Sequence, residues 1–438
     1  MILEIKNYLK IVKITKLKIM IIGIDASRAN RSHKSGTEWY SYYLIKELAA
    51  IDDKNQYVLY SDQPLKNGLL DLTSDNPSFR RSDYKTDENG YQKLISPHNN
   101  FRGKVLNWPF KFFWTQGRLS WEMLTKRPDV LFVPAHALPL IHPKKSIVTI
   151  HDIGYKQEEA LYSQEKIGYQ TKFWDWLFLF LTAGKYRATS MDYLDWSTGY
   201  ALKHAQTIIT ISEFSKQEII KYYQADPAKI KVVHNGYNVD LFHGDFEDKK
   251  VASVLEAYGI ETPYIFYVGR LEKKKNIAAL VEAYALARKN HELKHKLYLV
   301  GDASFGYDEI KYLINEFDVA GEVQATGWVE ENHLAYIFKG ADAFIFPTKY
   351  EGFGIPLLQA MAAGTPIAAS NVAAIPEIAN GAALLFDPND VNDIAAKMAK
   401  IVQDEPLRAK LKVAGLEQVK HFSWEKCAKE TLKIIENL

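Results

Sequence analysis

Cysteine is nearly absent. Cys427 is the only one in 438 residues, so no internal disulfide can staple the fold, and no Cys/His cluster has zinc spacing. An excess of either charge is lacking too. Lys and Arg total 55 against 53 Asp and Glu, a net charge of +2, which excludes a nucleic-acid footprint spread over the whole chain. No stretch of eighteen uncharged apolar residues occurs and mean hydropathy is −0.23, so the sequence offers no transmembrane helix. A paired-carboxylate nucleophile is missing, which argues against a glycoside hydrolase. What remains, 47% hydrophobic and 25% charged, can build two or three domains of a cytoplasmic enzyme.

Residues 1–19 carry Lys6, Lys10, Lys13, Lys16 and Lys18 against a single Glu4. They read either as an extension ahead of Met20 or as a basic amphipathic helix lying on anionic lipid. From Met20 the pattern is strand, turn, helix, repeated. Strands are expected at Met20–Asp25, Tyr57–Tyr60, Val130–Val133, Ile147–Ile150, Thr207–Ile211 and Lys231–His234, with a helix over Glu38–Ala50. Residues 61–105 read as polar and irregular, and Ser215 with Glu218 as a capping box for the helix Gln217–Tyr223.

A charged linker, Gly244–Lys250, precedes a second series. Its strands are expected at Tyr264–Val268, Lys296–Val300, Val323–Thr326, Ala343–Phe346, Pro366–Ala369 and Ala383–Phe386, with helices between them. Alternation of this kind predicts an α/β fold of two Rossmann-like domains whose parallel sheets face a cleft. Two aromatic stretches, Trp108–Trp121 and Phe173–Leu181, lie near Lys111, Lys172, Lys185 and Arg187. They fit core helices or a membrane-facing acceptor site.

The strongest local signal is Glu351-Gly352-Phe353-Gly354-Ile355-Pro356, running on to Gly364-Thr365-Pro366. Pro356 suits a first helical turn and Gly364 a helix end. Gly352 and Gly354 let the backbone approach a ligand, and the free amides of the helix N-terminus would receive an anion such as a diphosphate. Gly269-Arg270 directly follows a strand and leads to Lys273–Lys275 and Asn276. Arg and Lys at a strand's carboxyl end suit a departing diphosphate, although three lysines alone would read as solvated surface. Gly301-Asp302 and Gly327 likewise follow strands, where ligands bind in open sheets.

Together these blocks resemble the family 4 glycosyltransferases, the group 1 glycosyl transferases of GT-B fold. Ser212-Glu213-Phe214-Ser215, His234-Asn235-Gly236, and Asp25 followed by Ser35-Gly36-Thr37 carry the likeness into the first half. It runs from Met20 onward and is most specific in the second half. The resemblance implies an acceptor domain over 20–243, a donor domain over 244–421 and a last segment, 422–438, that packs back on the first domain.

Carried over residue by residue, the resemblance implies that Arg270 and Lys275 bind the donor diphosphate and Glu351 contacts the transferred sugar. Gly354 and Ile355 would offer backbone amides, and Gly36 would let its loop approach the phosphates. Gly269, Gly301, Asp302, Gly352 and Phe353 complete the implied donor site. The family's second acid, which binds the ribose, is here Gln359, an amide without charge assistance. His151 stands where relatives place a cleft histidine against the donor sugar; a purely structural strand-end role is its alternative.

The activity so implied is retaining hexosyl transfer from a UDP- or GDP-linked sugar, a co-substrate rather than a cofactor, to a glycan or lipid-linked acceptor. Several members are mannosyltransferases of surface polysaccharides. Relatives need no metal, in keeping with the lack of an Asp-x-Asp pair. A peripheral contact at the inner face of the membrane is a further expectation. A nucleotide-sugar epimerase of the same fold, or a catalytically weak sugar-nucleotide-binding homologue, stays open as an alternative.

Overall fold

The computed structural model describes residues 19–66, 68–73, 84–86, 92–94, 100–110, 113–157, 189–244 and 246–438. The basic stretch 1–18 and the aromatic run Phe173–Leu181 lie outside these residues. In the first half the strands are β1 (Ile21–Asp25), β2 (Gln56–Ser61), β3 (Tyr84–Thr86), β4 (Gln92–Leu94), β5 (Phe101–Val105), β6 (Val130–Val133), β7 (Ser146–Thr149), β8 (Thr207–Thr210) and β9 (Ile230–Val232). The helices are α1 (Gly36–Ile51), α2 (Ser120–Thr125), α3 (Ser190–His204), α4 (Glu213–Tyr223), α5 (Val239–Phe242) and α6 (Asp248–Ala257). Seven strands form one sheet, ordered β5-β2-β1-β6-β7-β8-β9, and every pairing is parallel.

The second half repeats the plan with β10 (Tyr264–Val268), β11 (Lys296–Val300), β12 (Val323–Gly327), β13 (Ala343–Phe346), β14 (Ile367–Ser370) and β15 (Leu384–Phe386). Their order is β12-β11-β10-β13-β14-β15, again all parallel. Its helices are α7 (Ile277–His291), α8 (Tyr307–Glu316), α9 (Glu331–Gly340), α10 (Ile355–Ala363), α11 (Ile375–Ala379), α12 (Val391–Gln403), α13 (Glu405–Gln418) and α14 (Trp424–Glu436). Parallel strands covered by helices on both faces must be apolar throughout, and all four residues of β13 are buried. Phe266 of β10 meets Phe338 of α9 at 4.8 Å between ring centroids and Phe344 of β13 at 5.3 Å. Burying each such side chain contributes about 1.5–3 kcal/mol. The architecture is GT-B.

Strand order fixes where ligands can sit. In the first sheet the chain departs from β1 to β2 on one side and returns to β6 on the other. In the second, β10 has β11 on one side and β13 on the other. A crevice opens at each such reversal, outside the carboxyl ends of the strands. Asp25 and His136 lie at the first; Gly269, Arg270 and Glu351 lie at the second. Among the described residues no helix is long and apolar enough to cross a membrane.

Helix α14 crosses back to α1, where the Trp424 ring stacks on Tyr43 at 5.6 Å and 14°. Three local expectations are corrected. Residues 61–105 are not wholly irregular: β5 closes the sheet edge, where only Phe101, stacked on Tyr57 at 4.2 Å, needs to be buried. The edge position lets Arg102 stay exposed and Lys104 reach out to pair with Glu122, charges which masked the strand in the sequence. The cap of α4 is Ser212, whose side chain accepts from the Ser215 amide, so Ser215 lies inside the helix rather than before it. The charged stretch Gly244–Lys250 already contains the start of α6. In the first aromatic stretch Trp114 is buried, with its Nε1 donating to the Leu106 carbonyl at 2.8 Å, while Trp121 is 61% exposed.

Candidate active site

Three glycines shape the second crevice. Gly269 and Gly301 follow β10 and β11 with φ of +143° and +139°, a region open to glycine but strained for other residues. A Cβ on Gly301 would lie 2.1 Å from the Gly269 carbonyl oxygen, so the two loops mesh only without side chains. The Gly301 amide donates to the Gly327 carbonyl at 2.9 Å. This packing leaves Arg270 exposed on the rim, its carbonyl accepting from Tyr267 OH at 3.2 Å while its guanidinium makes no hydrogen bond or ion pair to any described residue. Asp302 is exposed beside it, and its carbonyl accepts from the Leu271 amide at 2.9 Å.

Lys273–Lys275 form a tight 3-10 turn that carries two of the three lysines inward. Lys275 pairs with Glu351, both side chains being largely buried. Lys274 sits 3.6 Å from Glu272. Burial opposes its charge, but Asp152, Glu272 and Glu351 more than compensate and hold its pKa above the ordinary lysine value. The loop Glu351–Gly354 joins β13 to α10. Gly354, at φ +95°, is the N-cap of α10, no side chain caps that helix, and Pro356 occupies its first turn. Gln359 lies one turn further on, 8% exposed, and its side-chain amide makes no hydrogen bond to a described residue.

Opposite stands the carboxyl end of the first sheet. His151 is buried, with its Nε2–H donating to the Pro134 carbonyl at 3.0 Å and its ring edge-on to Tyr40 at 4.7 Å. This assigns the proton to Nε2 and leaves the lone pair on Nδ1. Burial, reinforced by the neighbouring His136, pushes its pKa down to about 4, so the ring is neutral at pH 7. His136 lies 5.6 Å away and donates from Nε2 to the Asp152 carbonyl at 3.3 Å. Burial works against the Asp152 carboxylate as well, but Lys274, His136 and the Gly154 amide hold its pKa below the usual range. Asp25, at the end of β1, accepts from the Ser27 hydroxyl at 2.6 Å and the Ser27 amide at 3.0 Å, and burial still pushes it up.

The two sides touch at Gly352. A Cβ there would lie 2.8 Å from both the His151 carbonyl oxygen and Asp152 Cβ. Of the residues picked from the sequence, Lys275, Glu351, Gly352 and His151 are thus brought together, with Phe353, Gly354 and Ile355 continuing the same loop into α10. Arg270, Gly269, Gly301 and Asp302 flank it. Gly36 opens α1, and a Cβ on it would meet nothing within 4 Å. His136, Asp152 and Lys274 were missed. His136 follows β6 as His151 follows β7, a signal that was available, whereas Lys274 hides in a run of like charges. Among the described residues no group of three His, Cys, Asp or Glu side chains is placed to hold a metal ion.

Comparison with known proteins matches residues 35–241 to the family described as Glycosyltransferase Family 4, and residues 256–418 to Glycosyl transferases group 1. The chain is 33% identical over 241 residues to the O-antigen chain mannosyltransferase B of Escherichia coli, covering 55% of this chain and 63% of that protein. It is 27% identical over 230 residues to the serotype-specific mannosyltransferase WbdA of the same organism, 52% of this chain and 28% of that one. The match therefore spans less than two thirds of either relative. In fold it is similar to HepE of Anabaena, solved in complex with UDP-glucose, with a TM-score of 0.66 at 15% identity, covering 96% of this chain and all of the other.

Proposed function

The chain belongs to the group 1, family 4 glycosyltransferases, and on that premise we propose that it is a retaining hexosyltransferase using a nucleotide-diphosphate sugar. In this reading residues 244–421 hold the donor, UDP- or GDP-linked, and residues 20–243 present the hydroxyl of a glycan or lipid-linked acceptor. The observation that carries it is the pair of cations at the second crevice. The Arg270 guanidinium is unpartnered among the described residues and Lys275 is held by Glu351, and both lie where a diphosphate would meet the uncapped end of α10.

The bond from the sugar's C1 to the diphosphate oxygen breaks, and a new bond forms from C1 to the acceptor oxygen on the same face. The acceptor proton passes to the departing phosphate. Negative charge grows on the diphosphate, and Arg270, Lys275 and the amides of Gly354 and Ile355 stabilise it without a metal ion taking part. A donor that draws Lys275 onto its phosphate leaves Glu351 to accept hydrogen bonds from the sugar's hydroxyls. His151, neutral and committed through Nε2, offers the lone pair of Nδ1 to a sugar hydroxyl, so it orients the donor rather than supplying a proton. Gln359 would meet the ribose, its side-chain amide being without a partner among the described residues.

Two relatives named as mannosyltransferases favour mannose as the hexose and surface polysaccharide as the destination. A lipid-linked acceptor would give a role to the exposed Trp121 and Leu124, one turn apart on α2 beside Lys126 and Arg127, as a peripheral membrane contact. The test is nucleotide binding by calorimetry with UDP and GDP, alongside turnover of UDP-glucose and GDP-mannose. Arg270→Ala should weaken diphosphate binding roughly 10- to 100-fold, the worth of one charged hydrogen-bonding partner. Glu351→Ala should abolish turnover with less effect on nucleotide binding. An Arg270→Ala protein that binds both nucleotides normally overturns the donor-site assignment.

A further inference from the structure

The first turn of α4 presents amides that need acceptors, and their accounting crosses the cleft. The Ser215 amide is capped by Ser212 Oγ at 3.0 Å. The Glu213 and Phe214 amides both donate to Glu377, on α11 of the other domain, at 2.9 Å to each carboxylate oxygen. Glu377 takes a further contact from His234, 3.4 Å away. Ser212 Oγ donates in turn to the Gly352 carbonyl at 2.7 Å. Ser215 Oγ stands between two carbonyls, that of His151 at 3.2 Å and that of Gly352 at 3.3 Å.

These contacts differ from ordinary domain packing in three ways. They are charge-assisted or buried hydrogen bonds, directional enough to fix a geometry. They converge on the peptide next to Glu351. And those made to Glu377 and to the Gly352 carbonyl vanish as a set when the domains part, because Glu377 and Gly352 belong to one domain while the α4 amides and serine hydroxyls belong to the other.

We infer that Ser212, Ser215 and Glu377 are positioning residues: they form a latch that closes the cleft and sets the Glu351–Gly354 loop against His151 for transfer. The inference rests on the transferase reading above. Arg270 and Lys275 take no part in the latch, so nucleotide affinity and turnover separate. With the latch cut, the donor domain binds nucleotide as before, while the loop that carries Glu351 loses its register against the first domain. A misplacement of about 1 Å is enough to cost roughly 100-fold in turnover. Gly352 is glycine because any side chain there would wedge the latch open.

The experiment measures three things on wild type, Glu377→Gln, Ser212→Ala and Ser212→Thr. They are UDP and GDP affinity, turnover of GDP-mannose and UDP-glucose with methyl α-mannoside as acceptor, and hydrogen exchange of the α4 first-turn amides. Expected are nucleotide affinity within about twofold of wild type, turnover down by one to two orders of magnitude in Glu377→Gln and Ser212→Ala, and lost protection of the Glu213 and Phe214 amides. Ser212→Thr, which keeps a hydroxyl, restores turnover. Glu377 is only partly buried, its side chain 27% exposed, and its replacement by Gln does not disturb the core, so that variant carries the test if Ser212→Ala unfolds. Unchanged turnover in Glu377→Gln despite lost amide protection overturns the latch, as does nucleotide affinity that falls in step with turnover. Wild-type protein that binds neither UDP nor GDP overturns the transferase reading instead.

Discussion

Buried His151 makes the stability of this protein depend on pH in a way that one substitution should isolate. Its folded-state pKa is about 4 against an ordinary 6.5, because burial and the neighbouring His136 both disfavour the imidazolium. The unfolded chain takes up a proton near pH 6.5 and the folded one does not, so between these values the unfolded state binds more protons and stability falls as pH falls. At pH 7.5 the contribution is close to zero. At pH 5 the unfolded imidazole is almost fully charged and the folded one almost fully neutral, and linkage gives a loss of about 2 kcal/mol, rising towards ~3.4 kcal/mol below pH 4. His151→Gln keeps an N–H for the Pro134 carbonyl but does not titrate. Urea unfolding followed by tryptophan fluorescence at pH 7.5 and 5.0 should therefore show wild type losing about 2 kcal/mol more than the variant over that interval. Equal losses in the two proteins would show that His151 is charged or solvated when folded, and would remove the argument for a neutral imidazole facing the donor.

The donor-site and latch variants above provide two further checks. Gly236→Ala would put a Cβ 2.1 Å from the Trp424 amide nitrogen and 2.3 Å from the Ser423 carbonyl carbon. Neither is a flexible side chain, so a destabilisation of about 1–3 kcal/mol is expected, seen as a lower thermal midpoint and altered Trp424 fluorescence. Tyr43 OH donates to Glu331 Oε2 at 2.6 Å and accepts from Asn238 Nδ2 at 2.8 Å. Glu331 is partly buried and its pKa is pushed up by that burial. Tyr43→Phe should cost about 1–3 kcal/mol in urea unfolding, and no loss would mean that water replaces the hydroxyl at this contact.

Much of the fold could be read from the sequence because a parallel sheet covered on both faces demands unbroken apolar runs such as Tyr264–Val268, and these stand out between helices. The strand β5 did not, since an edge position asks for one buried ring, Phe101, and tolerates charge elsewhere. Glycines after strands pointed to the second crevice for a similar reason: the Gly301 loop cannot accept a Cβ, and that constraint is local. The remainder of the site is set by contacts across long separations. Glu377 satisfies amides at Glu213 and Phe214 that any helix start would leave open, and no local pattern around either residue announces the other. Lys274 differs from Lys273 only in which way the 3-10 turn points it.

The stacking of Trp424 on Tyr43 bears on how this chain is made. The face of α1 that α14 covers is synthesised early, and its cover lies 381 residues downstream in the numbering. At about 5–20 residues per second, translation leaves that aromatic surface bare for roughly 20–80 s after Tyr43 has formed its helix. Once β9 has been made, and until α14 arrives, the first domain is a complete sheet with one open flank, the kind of surface that chaperones bind. Docking of α14, rather than completion of either sheet, is then the event that covers this face.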